Sequence, residues 1–284
     1  MLTLNCKGRL VALDQPKIMG ILNVTPDSFY DGGQFQKTDN LVQQATKLLE
    51  EGADFLDVGG ASSKPGAEPV SEEEELRRVI PAIESILKKH PHTLISVDTC
   101  RSRVATKAVE AGAAMVNDIS GGNADTKMME VVGRLGVPYI AMHMQGTPQT
   151  MQNNPQYDNV LLDIRLLLSK TIEKAYSNGI HDVIIDPGFG FGKTVAHNYE
   201  LLKHLNEFLH LEVPILVGLS RKSMIQKVLG VSPQEALHGT SVLHTLALDH
   251  GAHILRVHDV KEAKEVVKLV QQVRHPEKSI DEKT

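Results

Sequence analysis

Cysteine is scarce: Cys6 and Cys100 are the only two in 284 residues, and their positions form no paired spacing. That excludes a disulfide framework and a cysteine-rich zinc site, and fits a reducing compartment, with the cytoplasm as the expected location. Lysine and arginine form no stripe, and the formal net charge is -5. Nucleic acid and acidic membranes are therefore not expected partners, and a small molecule is. No run approaches the roughly 20 apolar residues of a membrane span. The opening "MLTLNCKGRLVALDQPK" also lacks the long apolar core of a secretion signal, so export is not expected.

A phosphate loop is missing where one first suggests itself. The stretch "DPGFGFGKT" (186–194) ends in Gly-Lys-Thr, but a Walker A loop needs glycine where this chain has Pro187. Counting a dinucleotide fingerprint from Gly188 and Gly190 ends on Lys193 instead of glycine. Asp186 then becomes the residue to explain.

What the chain does have is alternation. Short Ile- and Val-rich runs at 18–24, 54–59, 93–98, 114–118, 138–143, 182–186, 214–219 and 253–258 read as buried parallel strands. Helical periodicity falls between them at 39–51, 72–90, 101–111, 124–135, 158–178, 197–209, 222–229 with 233–250, and 261–273. "LEEGAD", "VEAGAA" and "RLGVP" place a glycine where a helix ends in the left-handed conformation. Eight βα units without a dividing linker predict a single domain, a TIM (β/α)8 barrel, which typically takes about 250 residues. The leading "LTLNCKGRLVAL" predicts a short N-terminal β-hairpin, within about 1–14, across the barrel bottom, and the polar tail "HPEKSIDEKT" is expected to fray.

TIM-barrel chemistry sits at the C-terminal ends of the strands. Here those ends carry Asn23, Asp57, Asp98, Asn117 with Asp118, His143, Asp186, Ser220-Arg221-Lys222, and Arg256 with His258. One such residue is as readily a cap as a ligand-binding group. Eight converging on one rim point to function, because buried charge is costly without a partner or a task. Asp98, Asn117 and Asp186 suit a ligand edge rich in N–H donors, while Lys222, Arg256 and His258 suit anionic oxygens. A flat heterocycle carrying a phosphate chain satisfies both, and the glycines at 188, 190 and 192 let backbone pass close beside a ring.

Other residues read more simply. Cys100 has no activating base beside it and is expected to be a packed thiol. His143 in "AMHMQG" lacks the early His-x-His pair of a barrel metallohydrolase and is expected to be a wall residue. "SEEEELRR" (71–78) opens a solvated helix, with Ser71 as N-cap and Glu74 closing a capping box.

Seven motifs in order go further: "MGILNVTPDSFYDGG" (19–33), "DVGG" followed by "KPGA" (57–67), "SVDT" (96–99), "NDISG" (117–121), "DPGFGFGK" (186–193), "GLSRKS" (218–223) and "RVHDV" (256–260). Over residues 18 to 260 the chain resembles the dihydropteroate synthases, which are pterin-binding enzymes of folate biosynthesis. The resemblance implies a homodimeric barrel that joins 6-hydroxymethyl-7,8-dihydropterin diphosphate to p-aminobenzoate, releasing pyrophosphate, with Mg2+ on the diphosphate.

The same resemblance implies the site. Asp98, Asn117, Asp186, Gly218, Lys222 and Arg256 would hold the pterin, with Arg256 stacked on its face. Phe29, Ser63, Pro65, Phe191, Lys222 and Ser223 would make the p-aminobenzoate pocket, under two mobile loops at about 24–36 and 60–70. Asn23, Ser63, Lys64, Arg256 and His258 would hold the diphosphate, and Asn23 the metal. Asp98, Lys222, Arg256 and His258 are the expected catalytic residues. An anilinic nitrogen is already neutral at pH 7, so leaving-group departure matters more than a base, and an SN1-like substitution is expected.

The chain departs from the common family pattern at "ASSKPG" (61–66), where Ala61, Ser63 and Lys64 stand in place of an acid, a threonine and an arginine. Lys64 keeps the charge but loses the bidentate fork, so a weaker anion site is expected there and sulfonamide sensitivity does not follow. Three other readings compete: a barrel methyltransferase acting on methyltetrahydrofolate, against which "SRKS" and "RVHDV" favour the synthase; a non-catalytic pterin-binding paralogue, for which loss of Asp98, Asn117, Asp186, Lys222 or His258 would speak and none is lost; and a phosphosugar aldolase or isomerase, which rests on the fold alone.

Overall fold

The computed structural model describes residues 2–24, 34–61, 66, 68 and 70–277. Strands β1 (Thr3–Cys6) and β2 (Arg9–Ala12) form an antiparallel hairpin. The barrel strands follow as β3 (Lys17–Asn23), β4 (Phe55–Gly59), β5 (Ile95–Asp98), β6 (Met115–Asp118), β7 (Tyr139–Met142), β8 (Val183–Asp186), β9 (Leu216–Val217) and β10 (Ile254–Val257). The helices between and after them are α1 (Gln34–Glu50), α2 (Glu72–Lys89), α3 (Ser102–Glu110), α4 (Met128–Leu135), α5 (Val160–Ser177), α6 (Val195–Lys203), α7 (Ser223–Leu229), α8 (Leu237–Asp249) and α9 (Val260–Arg274). None of the described helices is long and apolar enough to cross a membrane.

All eight barrel strands are parallel, in the order β8-β7-β6-β5-β4-β3-β10-β9. A bridge between Ile185 and Ile215 joins the ends of that order, so the sheet closes into the expected barrel. The run predicted at 214–219 contributes a ladder of only Leu216–Val217, because Pro214 has no N–H to give and the chain turns away after Val217. The helix predicted at 197–209 is two pieces: α6 stops at His204, which leaves the helical region (φ -113, ψ 26), and a 3-10 helix spans Leu205–Leu211.

Two cores follow from strand alternation. Outward-facing side chains such as Ile18, Leu56, Val97 and Val116 pack against the helices. Inward-facing Met19, Phe55, Met115, Ile140, Ile184, Leu216 and Ile254 fill the barrel bottom, where the hairpin's Leu4 and Cys6 and the following Leu13 plug it. Asn5 N–H donates to Asp182 Oδ2 at 2.9 Å, fixing the hairpin beside the start of β8. With the bottom closed, the polar strand ends are left at the other mouth.

The helix termini bear out part of the expected capping. Gly136 ends α4 in the left-handed conformation (φ 63). Ser71 caps α2 by accepting from Glu74 N–H, but the expected reciprocal half of a capping box is replaced: the Glu74 carboxylate turns to Arg77 and Arg78. Nor is the Glu run wholly solvated, since Glu75 is buried and paired with Arg101.

Candidate active site

Register assembles the first half of the site. Asn23 pairs with Gly59, Gly59 with Asp98, and Asp98 with Asn117, so four strand ends lie in one row across β3, β4, β5 and β6. Paired positions in a parallel sheet share a face, so this row faces the barrel mouth. Gly59 leaves room for its neighbour: a Cβ there would lie 3.4 Å from Asp98 Cβ.

Arg256 reaches into this row from β10. Its Nε donates to Asp57 Oδ2 at 2.6 Å and its Nη2 to Asp98 Oδ2 at 2.8 Å. Asn117 Nδ2 donates to the same Asp57 oxygen at 2.9 Å. Asp57 is fully buried, and its Oδ1 has no hydrogen-bond partner among the described residues. Burial pushes the Asp98 carboxyl up to about 7, against the opposing pull of Arg256. The result is an acceptor-rich patch whose orientation one arginine sets.

The second half lies over β8 and β9. Asp186 is buried, and its Oδ1 accepts from Gly188 N–H at 2.7 Å. Burial raises its carboxyl, with Lys222 opposing. Gly188, Gly190 and Gly192 all have positive φ (72, 82 and 64), which only glycine adopts easily. A Cβ at Gly188 would lie 1.9 Å from His143 O, and one at Gly190 would lie 3.2 Å from Lys222 Cδ. Lys222 Nζ donates to Phe189 O and stands 4.6 Å from the Phe191 ring centroid. Burial lowers its ammonium to about 8, with Asp186 opposing. Gly218 lines the same corner, its Cβ position 3.8 Å from Lys222 Nζ.

A third cluster sits at the ends of β9 and β10. Ser220 Oγ lies 3.0 Å from His258 Nδ1 and accepts from His258 N–H at 3.3 Å. Arg221, between Ser220 and Lys222, is bonded to Asp259. Ser223 is exposed in the first turn of α7.

These positions sort the sequence expectations. Asp98, Asn117 and Arg256 join one hydrogen-bonded group through Asp57, and Asp186, Gly218, Lys222 and Phe191 gather around the glycine loop without hydrogen bonds to one another. Phe29, Ser63, Lys64 and Pro65 lie outside the described residues, as do most of the two expected loops. Asp118, read as part of the rim, instead faces away and accepts from Ser120 N–H, Ser120 Oγ, Gly122 N–H and Tyr139 OH. It holds the loop after β6, because consecutive strand residues point to opposite faces. Cys100 is the expected inert thiol: burial first and Asp118 second raise it far above the usual range. His143 is the expected wall residue, 2.9 Å from Lys193 Nζ through Nδ1 and held neutral, down to about 3, by burial and that lysine.

Two residues were not assigned from sequence. Asp57 was noted on the rim without a role; its signal is a charge in the interior of an otherwise apolar strand, "FLDVG". Lys193 carries no such signal, and its inward turn depends on the loop's backbone. Its Nζ meets His143 Nδ1, Gly188 O and Phe191 O, so this lysine is no phosphate cradle.

Residues 19–258 match the family model described as pterin binding enzyme. The chain is 44% identical over 267 residues to dihydropteroate synthase of Escherichia coli (strain K12), covering 93% of this chain and 94% of that protein. Among solved structures, dihydropteroate synthase of Xanthomonas albilineans with 4-aminobenzoic acid superposes with a TM-score of 0.89 at 43% identity, covering 96% of this chain and 98% of that one. The same organism's synthase in complex with 7,8-dihydropteroate gives a TM-score of 0.86 at 42% identity, covering 96% and 99%.

Proposed function

The chain belongs to the pterin binding enzyme family, and we infer that its reaction is dihydropteroate synthesis: 6-hydroxymethyl-7,8-dihydropterin diphosphate and p-aminobenzoate give 7,8-dihydropteroate and pyrophosphate. One observation carries this reading. Buried acceptors (Asn117, Asp186), the partly buried Asp98 and the partly buried cations Lys222 and Arg256 face one barrel mouth, as a donor-edged ring with an anionic tail requires.

Asp186 and Asp98 accept from the pterin's amino and ring N–H groups. Asn117, whose Nδ2 is committed to Asp57, offers its carbonyl oxygen. Lys222 meets the ring's carbonyl edge. Arg256, with Nε and Nη2 committed to carboxylates, keeps Nη1 and its planar face for the substrate. Phe191 and Ser223 contribute to the p-aminobenzoate side, together with Phe29, Ser63 and Pro65 from the two loops.

Chemistry here rests on the leaving group. As the C–O bond to the diphosphate lengthens, negative charge grows on pyrophosphate beside Asn23, Lys64, Arg256 and His258, and the methylene carbon becomes cationic. The dihydropterin ring delocalises that cation, and the neutral aniline nitrogen attacks it, losing its proton afterwards. Substitution is therefore SN1-like.

Mg2+ fits the oxygen donor present: the Asn23 carbonyl oxygen at the end of β3 would hold it as a hard protein ligand, with substrate phosphate supplying further oxygens. When bound, it neutralises charge on the departing diphosphate.

The chain is a homodimer in this reading. Exposed Val228 and Leu229 on α7, Val242 and Leu246 on α8, and Leu269 and Val273 on α9 are apolar side chains on three consecutive helices. Sedimentation at micromolar concentration tests it, and a monomer would sink it.

The reaction is tested by mixing purified protein with Mg2+, the dihydropterin diphosphate and p-aminobenzoate, and following pyrophosphate and dihydropteroate together. Equimolar appearance of both, lost in Lys222→Ala, is expected. Pterin binding without turnover would favour a non-catalytic paralogue.

A further inference from the structure

The lysine that gives "DPGFGFGKT" its phosphate-loop look is turned away from any ligand. Lys193 is buried, and burial holds its ammonium well below the usual lysine range. Its Nζ donates to Gly188 O at 2.8 Å and Phe191 O at 2.9 Å and lies in hydrogen-bond contact with His143 Nδ1 at 2.9 Å. Those partners come from the end of β7 and from both sides of Phe189. Between them, Phe189 O accepts from Lys222 Nζ, and the Phe191 ring lies beneath the same ammonium. At the loop's other end Gly188 N–H holds Asp186 Oδ1. The knot thus includes Gly188, which holds Asp186, and Phe191, whose ring underlies Lys222, and it flanks Phe189 O, which accepts from Lys222.

We propose that Lys193 is a positioning residue for the reaction assigned above: by drawing Gly188 O, Phe191 O and His143 onto one atom, it fixes the glycine loop in the shape that places Lys222 and Asp186 against the pterin. The loop needs such a device. Positive φ at 188, 190 and 192 interrupts regular hydrogen bonding; Gly188 O keeps one backbone donor, Phe191 N–H at 3.1 Å, and the loop's carbonyls are otherwise gathered by side chains. Besides Lys193, Tyr157 OH donates to Gly192 O and Gln152 Nε2 to Gly190 O. Lys193 alone among these binds two of the loop's carbonyls and anchors them to a neighbouring strand.

This inference rests on the dihydropteroate reading, and calorimetry separates the two. Parent, K193M and K193R are titrated with 6-hydroxymethylpterin, which has no diphosphate and does not react, and separately with Mg2+ pyrophosphate. K193M fills the same space but leaves Phe191 O and His143 Nδ1 without this partner and Gly188 O with only Phe191 N–H, so pterin binding is expected to weaken by about tenfold or more. Pyrophosphate binding, at the β3 and β10 ends, is expected to stay within about twofold. K193R is expected not to restore pterin binding, because a planar fork cannot gather three partners on one point. Should K193M fail to fold, K193Q, whose amide serves two acceptors, carries the test with an expected loss of about threefold. Parent-like pterin binding in the variants, or equal losses for both ligands, overturns the proposal. A parent that binds no pterin overturns the reaction assignment and this inference with it.

Discussion

Arg221 and Asp259 meet through two parallel hydrogen bonds of 2.8 Å each, across the turns that follow β9 and β10. The remaining guanidinium nitrogen, Nη1, donates to Pro233 O and Gln234 O at 2.9 Å, drawing in the segment between α7 and α8. Lys222 follows Arg221 directly and His258 precedes Asp259. One planar side chain therefore ties together the backbones that carry both.

Arg221→Lys keeps the charge and loses the fork. It is expected to lower the unfolding free energy by about 1–3 kcal/mol in urea titration and to reduce kcat/KM as Lys222 and His258 lose register. A midpoint and a kcat/KM equal to the parent's would show that the pair is dispensable.

Backbone conformation at the same residue can be tested apart from its side chain. Arg221 has φ 54, a region that costs a non-glycine residue about 1 kcal/mol or more. Arg221→Gly should therefore unfold at higher urea than Arg221→Ala, although both lose the same hydrogen bonds. The reverse order would contradict the strained backbone.

Asp57 accepts from Arg256 and Asn117 on a single oxygen, so the three should behave as one unit. Asp57→Asn and Asn117→Ala are each expected to lower kcat/KM for the pterin diphosphate. In the double variant the losses should fall short of additive by about 1–2 kcal/mol. Strict additivity would mean that Asp57 orients Arg256 without influencing Asn117.

Both thiols should resist alkylation in the folded protein. Burial, with Asp182 adding to it, pushes Cys6 up to about 12, and burial with Asp118 raises Cys100 far above the usual thiol range. Thiolate is the reactive form, so iodoacetamide at pH 8 should label urea-unfolded chain and leave folded chain at its parent mass. Rapid labelling of the folded protein at Cys100 would reopen a nucleophilic role.

How much of this was legible in the sequence depended on the direction of each side chain. A buried parallel strand announces itself as a short Ile/Val run, so "VIID" could be placed and Asp186 read at its end. Alternation also separates Asn117 from Asp118, yet reading both as rim residues ignored it. Register lay further out of reach: nothing local says that Asn23, Gly59, Asp98 and Asn117 form one row. Lys193 was invisible because its direction follows from three positive φ angles, which have no periodicity to read. The pterin contacts could be inferred from types and order, but the residues that hold them in place could not.

The activity should follow a narrow bell in pH, and the signs can be worked from the two halves of the site. Asp98 must be a carboxylate to accept from the pterin's N–H edge; burial holds it up to about 7, so below that value a proton fills the acceptor and kcat/KM falls, by up to about tenfold per unit. Lys222 must be an ammonium to meet the ring's carbonyl; burial brings it down to about 8, so above that value the charge is lost and kcat/KM falls again. The maximum is expected between about 7 and 8. Asp98→Asn, with nothing left to titrate at that position, should lower the whole curve and flatten its acid limb while the alkaline limb stays. If the variant kept the parent's acid limb, the group titrating near 7 would lie elsewhere, and Asp186, also raised by burial, would be the carboxylate to replace next.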